Sequence, residues 1–299
     1  SKKTDFYDKY ANRTLPDPNK PDKTITEAEL WWKHPDRLTY KGIVFEPGKD
    51  FPGYYNLWRG FAVQPAPGDW SLFQHHIFNI IANKDNEIYQ WIISWMARIV
   101  QDPGGEKPGV AIVLRGGQGT GKTSFARTFG SLFGKHYLYL SNPQHLTGQF
   151  NHHQRDALLV FVDEGFLVDD KKAEGILKSM VTEDIINIEK KYHDVTTVKN
   201  HINLIVASNN TWIVPAGKDE RRFFVVDLSE EQKQKKPYFR AIDNQMNNGG
   251  REAMLYDLKY TYDYSLVDLR TIPVTKAQFE QKISSMCEGR HENAIFFPV

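Results

Sequence analysis

Apolar positions in the first third of the chain repeat mainly at the spacing of an amphipathic helix. The clearest repeat, with steps of three and four residues, consists of Ile88, Trp91, Ile92, Trp95, Met96 and Ile99. Asp69 predicts the start of an earlier helix. The segment 101–108 then carries two prolines and two adjacent glycines, which interrupt regular structure. We therefore predict a mainly helical domain over residues 24–104, with a boundary near residue 104.

Beyond this boundary, short apolar runs alternate with helical patterns. The runs that predict strands cover residues 110–114, 137–140, 157–162, 201–207 and 223–227. Strands that alternate with helices are typical of a parallel sheet with crossover connections, so the fold class is α/β. Residues 185–198 alternate β-branched and charged side chains and predict a hairpin. The predicted sheet domain spans residues 105–228, and a C-terminal helical segment spans residues 229–299.

The first 23 residues are polar and contain three prolines, Pro16, Pro18 and Pro21. A segment of this composition buries too little apolar surface to offset the entropy of ordering it. We therefore predict a polar tail or linker over residues 1–23.

Composition and charge exclude several classes of protein. The chain has 299 residues, 40% of them hydrophobic, and its 38 basic residues nearly balance its 37 acidic residues. No chain-wide field therefore attracts nucleic acid or anionic lipid. The apolar runs are shorter than the roughly 20 residues that span a bilayer, so we expect no membrane partner and no export. The lone Cys287 and the pair His75 and His76 do not have the spacing of a structural metal site.

Residues 116–123 match the pattern of a phosphate-binding loop, in which a glycine is followed by four residues and then by Gly-Lys-Thr. The segment consists of Gly116, Gly117, Gln118, Gly119, Thr120, Gly121, Lys122 and Thr123. It follows an apolar strand and opens a helix, which is the context that this motif requires. We expect the backbone amides to hold nucleotide phosphates, Lys122 to reach the β- and γ-oxygens, and Thr123 to bind Mg²⁺.

Acidic and amide side chains follow the strands of the predicted sheet. Asp163 and Glu164 end the apolar run 157–162, at the carboxyl edge where ligands of parallel sheets bind. We expect Asp163 to hold Mg²⁺ and Glu164 to orient the attacking water or to accept its proton. Asn209 follows the run 201–207 and has both a donor and an acceptor for the water and the γ-phosphate.

Two adjacent arginines, Arg221 and Arg222, precede the last predicted strand. A guanidinium group remains charged and presents a planar fork to a phosphoryl group. These arginines are expected to lie beyond the reach of their own phosphate loop. If they are catalytic, they act on a neighbouring subunit; otherwise they form surface ion pairs with Asp219 or Glu220.

Taken in order, the phosphate loop, the acidic pair, the hairpin, Asn209 and the two arginines resemble superfamily 3 helicases, a branch of the AAA+ ATPases. The similarity is strongest to the helicase modules of phage primase-helicases and primase-polymerases. It implies ATP and Mg²⁺ as cofactors, a five-stranded sheet of order 5-1-4-3-2, a location in the bacterial host cytoplasm, and a linked primase or polymerase domain upstream.

The resemblance also implies a homo-oligomeric ring, usually a hexamer, that grips single-stranded or forked DNA. The grip is assigned to the hairpin residues Lys190, Lys191, Tyr192 and His193, a basic and aromatic cluster suited to phosphates and stacked bases. Two alternatives remain open from the residues. The chain could load or assemble partners on DNA without unwinding it, or it could be a small-molecule kinase with the same phosphate loop.

Overall fold

The computed structural model describes residues 3–142, 145–146, 148, 150–163, 171–189, 191–192, 194–208 and 221–274. The chain divides into two compact units. The smaller unit contains the residues up to 43 together with 51–55, and the larger contains residues 44–50 and those from 56 onwards.

In the smaller unit, a helix at Lys3–Lys9 precedes two antiparallel strands, β1 (Thr14–Asp17) and β2 (Lys20–Thr26). A second helix follows at Glu27–Lys33 and begins with a side-chain cap. The Thr26 hydroxyl accepts a hydrogen bond of 3.1 Å from the Glu29 amide, which satisfies one of the free donors at the helix start.

The structure therefore differs from the tail or linker that we predicted for residues 1–23. Their average composition is polar, but aromatic residues are concentrated on the first helix. The Phe6 ring lies 5.2 Å from that of Trp31, and the Tyr7 ring lies 6.3 Å from that of Trp32. These contacts pack the first helix against the second and supply the apolar partner that composition alone did not reveal.

A five-stranded parallel sheet forms the centre of the larger unit. Two-residue strands, β3 (Ile43–Val44) and β4 (Tyr55–Asn56), occur earlier in the chain. The sheet strands are β5 (Ala111–Arg115), β6 (Tyr137–Leu140), β7 (Leu159–Val162), β10 (Asn203–Ser208) and β11 (Phe223–Asp227), in the spatial order β11-β5-β10-β7-β6. Thus β10 lies between β5 and β7. The predicted hairpin is confirmed, because β8 (Ile185–Ile188) pairs antiparallel with β9 (Thr196–Lys199).

Both faces of this sheet are buried, as parallel sheets require. Side chains of β5 alternate between two apolar clusters, with Ile112 and Leu114 in one and Ala111 and Val113 in the other. The same alternation holds for β7, β10 and β11. This explains why the strands appear in the sequence as continuous apolar runs.

Helices surround the sheet. The larger unit contains α-helices at Ser71–His76, Asn86–Gln101, Lys122–Gly130, Lys171–Thr182, Lys236–Gln245 and Arg251–Tyr260, π-helical turns at Ile77–Ile81 and Met246–Gly250, and 3₁₀ turns at Ser131–His136, His152–Gln154 and Tyr264–Leu266. Across the described residues, none of the helices combines the length and apolar character needed to cross a bilayer. The described part of the C-terminal segment is helical as predicted, and residues 275–299 lie outside the described residues.

The predicted domain boundary near residue 104 does not separate two cores. Trp91, on the helix Asn86–Gln101, packs edge-on against Phe224 of β11 with ring centroids 4.5 Å apart. Trp95 on the same helix donates a hydrogen bond of 3.2 Å to the Val110 carbonyl. The glycines and prolines of segment 101–108 therefore end a helix without ending the core. They mark a turn, which sequence punctuation alone does not distinguish from a linker.

Because Trp91 joins this helix to the sheet, we expect Trp91→Ala to lower the free energy of unfolding by about 3 to 5 kcal/mol. Denaturant unfolding followed by circular dichroism measures this change. As a control, Leu266→Ala removes a side chain that is 82% exposed and should change stability by less than about 0.5 kcal/mol. Similar values for the two variants would contradict a shared core.

Candidate functional site

The predicted phosphate loop covers residues 116–123, of which 116–121 connect the carboxyl end of β5 to the start of the helix Lys122–Gly130. Its backbone is left-handed at Gly119 (φ +80°) and Gly121 (φ +106°), a region that glycine occupies without steric cost. A Cβ on Gly121 would lie 2.5 Å from Cε1 of His76. The loop thus combines a backbone that favours glycine with a neighbour that leaves no room for a side chain.

Side chains at both ends of the loop fix its geometry. Arg115, the last residue of β5, makes a two-pronged ion pair with Asp227, the last residue of β11. Within the loop, the buried Thr120 hydroxyl donates a hydrogen bond of 2.9 Å to the Gly117 carbonyl. The following helix begins at Lys122, directly after Gly121, so the partial positive charge at its amino end lies beside the loop and favours an anion.

Lys122 lies against the same loop. Its ammonium group donates hydrogen bonds to the carbonyls of Gly116 and Gly117, the latter at 2.9 Å, and the residue is buried. The cation is thus held against the carbonyls of the glycine-rich loop.

A pocket of about 310 Å³ opens beside the loop. Its lining residues are 118–124, Asp163 and Phe239. Asp163 directly follows β7, and its Oδ2 accepts a hydrogen bond of 3.2 Å from the Thr123 hydroxyl. The structure therefore brings together the two predicted Mg²⁺ ligands, a hydroxyl from the first turn of the helix Lys122–Gly130 and a carboxylate that follows β7. Both are oxygen donors, which Mg²⁺ prefers.

The C-terminal segment contacts the loop directly, which the sequence analysis did not anticipate. The Gln234 amide donates a hydrogen bond of 2.9 Å to the Gly119 carbonyl, and Phe239 forms one wall of the pocket. The sequence contained no signal for either contact, because both join residues more than a hundred positions apart.

His76 was also missed, since its position suggested an ordinary helix residue. It is fully buried between Gly121 and the C-terminal segment, and its Nδ1 lies 3.1 Å from the Tyr238 hydroxyl. Burial lowers the pKa of His76 to about 4, with the Gly121 backbone opposing the shift. Burial also raises the pKa of Tyr238 to about 12. Both side chains are therefore neutral near pH 7, so this support of the loop adds no charge to the pocket.

Several predicted site residues lie outside the described residues. These are Glu164, Asn209, Lys190 and His193. The strand preceding Asn209 is described, and it ends at Ser208 between β5 and β7.

Arg221 and Arg222 lie at the amino ends of the parallel strands, whereas the phosphate loop leaves the carboxyl end of β5. Both are exposed, and the Arg222 carbonyl accepts a hydrogen bond of 2.8 Å from the amide of Ala111, the first residue of β5. The loop begins after Arg115, the last residue of the same five-residue strand. At about 3.3 Å per residue, the two sites are roughly 15 Å apart along the strand direction. The structure does not bring these arginines to their own loop.

Lys191 and Tyr192 lie between the strands of the hairpin, at its exposed end. Tyr192 is 89% exposed and has a left-handed backbone (φ +64°), and the Lys191 ammonium lies 5.0 Å from the centre of its ring. A cation and an aromatic face are thus presented together to solvent.

Comparisons with known proteins agree with this architecture. Residues 114–222 match a family of unknown function (DUF5906). Over 209 residues, the chain is 30% identical to the DNA Primase-polymerase of Nitratiruptor phage NrS-1, and the match covers 66% of this chain and 28% of that protein. Two solved apo structures of the NrS-1 C-terminal region superpose with a TM-score of 0.70 at 23% identity, covering 89% of this chain and 68% of theirs. The chain is therefore homologous to this primase-polymerase, shares the fold of its C-terminal region, and spans little more than a quarter of its length.

We expect Gly121→Ala to weaken nucleotide binding at least tenfold, because a Cβ would strain the backbone and collide with His76. Titration with a fluorescent ADP analogue measures the affinity. Gly175→Ala is the matched control: Gly175 has open space around it and lies in the helix Lys171–Thr182. This control should bind nucleotide like the unmodified chain. Equal affinity in the two variants would contradict the close packing inferred at Gly121.

Proposed function

We propose that this chain is an ATP-driven DNA helicase or translocase module of a phage replication protein, belonging to the superfamily 3 branch of the AAA+ ATPases. The observation that carries the proposal is the convergence of the phosphate loop and Asp163 at one edge of the sheet, with the Thr123 hydroxyl 3.2 Å from the carboxylate. A loop with no catalytic partner would bind phosphate only. A carboxylate at this position adds a way to hold Mg²⁺ and so supports phosphoryl chemistry.

The residues of the chain take distinct roles in ATP hydrolysis. The loop amides and Lys122 bind the phosphates, while Thr123 and Asp163 would hold Mg²⁺, which neutralises charge on the phosphate oxygens when bound. Water attacks the γ-phosphorus and transfers a proton to the Glu164 carboxylate. The bond from phosphorus to the bridging oxygen breaks, and ADP leaves with that oxygen and its electron pair. Asn209 is assigned to orient the water.

Arginines from a second copy complete the site in this proposal. Arg221 and Arg222 are exposed near the amino end of β5, away from the phosphate loop. They would therefore act on the loop of the neighbouring subunit in a homo-oligomeric ring, which we propose to be a hexamer. An arginine that stabilises phosphoryl transfer across an interface typically increases the rate by about 10³ to 10⁵.

The DNA partner is supported by the hairpin and by the homologue. Lys191 and Tyr192 offer a cation and an exposed ring, the combination that follows a phosphate backbone and stacks on bases without reading sequence. The relative from phage NrS-1 is a DNA primase-polymerase. The chain as a whole has a formal net charge of only +1. DNA binding in this proposal therefore depends on a local contact such as the hairpin and not on a chain-wide field.

The first test is ATP hydrolysis with and without single-stranded DNA at low salt. We expect hydrolysis that DNA stimulates and that Lys122→Ala abolishes, because the ammonium no longer reaches the phosphates. Lys259→Ala, at an exposed lysine beside Tyr260, should retain full activity. Turnover that survives Lys122→Ala would refute the site. Turnover indifferent to DNA would favour the loader or kinase alternative.

A second test concerns the hairpin. We expect Lys191→Ala to weaken single-stranded DNA binding by about threefold to tenfold, while nucleotide affinity is unchanged. Fluorescence anisotropy with labelled oligonucleotides measures this loss. Lys259→Ala again serves as the control, since Lys191 and Lys259 each lie about the same distance from a tyrosine ring, 5.0 Å and 5.1 Å. Unaltered DNA affinity in Lys191→Ala would remove the hairpin from the proposal.

A further inference from the structure

A tyrosine on the neighbouring strand shares the carboxylate of Asp163. Tyr139 lies on β6, the edge strand of the sheet, directly opposite Phe161 of β7. Its hydroxyl donates a hydrogen bond of 2.8 Å to Asp163 Oδ2, the same oxygen that accepts the 3.2 Å bond from Thr123. One carboxylate oxygen thus receives two hydroxyl donors, one from the helix Lys122–Gly130 and one from β6.

The position of this tyrosine is fixed by contacts to its ring. The ring stacks on that of Phe161 at 5.6 Å and an interplanar angle of 22°. The Arg127 guanidinium, on the phosphate-loop helix, lies over the ring at 4.9 Å. Pairing of β6 with β7 therefore fixes the position of Tyr139 along the strand, and the contacts with Phe161 and Arg127 fix the direction of its side chain.

A carboxylate side chain rotates about two bonds, and a donor held in place selects one of its orientations. Groups that hydrogen-bond to metal ligands in this way commonly change metal affinity by about 10- to 100-fold. Here the donor lies on β6 and the carboxylate directly follows the adjacent parallel strand β7, so the orientation of Asp163 is tied to the sheet. Nothing in the sequence pattern of β6 signalled this contact.

We propose that Tyr139 is a positioning residue that orients the Asp163 carboxylate toward Thr123 and thereby increases the affinity of the site for Mg²⁺ with nucleotide. This inference rests on the proposed function, in which Thr123 and Asp163 hold the ion. In this role Tyr139 contacts neither phosphate nor water and acts on the ion through Asp163.

The chain offers a matched control two residues earlier. Tyr137 lies on the same strand, and its buried hydroxyl has no hydrogen-bond partner among the described residues. Tyr137→Phe and Tyr139→Phe therefore remove the same atom from the same strand, but only the second removes a donor to Asp163.

The experiment measures binding of a fluorescent ADP analogue as Mg²⁺ is titrated, with EDTA as the metal-free reference. We expect Tyr139→Phe to increase the half-saturating Mg²⁺ concentration by about tenfold and to change metal-free affinity less than twofold. Tyr137→Phe should match the unmodified chain. In an Asp163→Asn background, Tyr139→Phe should add less than a twofold effect, because the carboxylate through which it acts is gone.

The outcomes separate the two proposals. If nucleotide binding to the unmodified chain depends on Mg²⁺ and Lys122, yet Tyr139→Phe shifts the Mg²⁺ requirement less than twofold, only the role of Tyr139 is refuted. An equal loss of affinity with and without Mg²⁺, or a fall in thermal stability that accounts for the shift, assigns Tyr139 a structural role and overturns the inference. Binding that ignores both Mg²⁺ and Lys122 refutes the proposed function itself.

Discussion

The position of β5 within the sheet is the constraint on which the site depends. This strand pairs with β10 on one side and β11 on the other, and its side chains enter both apolar clusters. A strand held on both edges and both faces has little freedom, so the loop that leaves its carboxyl end begins from a fixed point. Parallel pairing then brings the ends of β7 and β10 to the same edge, with Asp163 next to Thr123. The geometry of the pocket is thus a consequence of sheet order.

The phosphate loop is also supported from outside the sheet. His76 comes from a helix that precedes the sheet in sequence, and Gln234 and Phe239 come from the segment that follows it. The helix Asn86–Gln101 joins these flanking parts, since Gln101 donates hydrogen bonds of 2.7 Å to the carbonyls of Leu258 and Tyr262. Residues on both sides of the sheet domain therefore form one support for the loop. A change in the C-terminal segment would reach the loop through the Gln234 amide and the pocket through Phe239.

Features that depend on residues close together in the sequence could be predicted, whereas features that depend on contacts between distant residues could not. The strands of the sheet and the loop at 116–123 could be predicted, because apolar runs and glycine spacing are local properties. His76, Tyr139 and Phe239 could not, because each meets the site through a contact distant in sequence. The two errors of domain division have a related origin. The polar average composition of residues 1–23 concealed the aromatic residues of the first helix. The glycines and prolines after residue 101 indicate a turn, but they do not indicate which elements pack together on either side of it.

The opposite placement of the loop and the arginines constrains how the proposed motor could work. Within one chain, β5 separates them by its own length, and its ends are fixed by pairing, so no local rearrangement brings Arg222 to the pocket. A second copy could face the pocket with the amino ends of its own parallel strands. Its Arg221 and Arg222 would then bring two exposed guanidinium groups to the pocket. A charge at such an interface stabilises the transition state only when the two copies are correctly aligned. The rate of hydrolysis would therefore depend on assembly of the subunits. The same sheet order that exposes the pocket at one edge therefore makes an arginine role dependent on a neighbour.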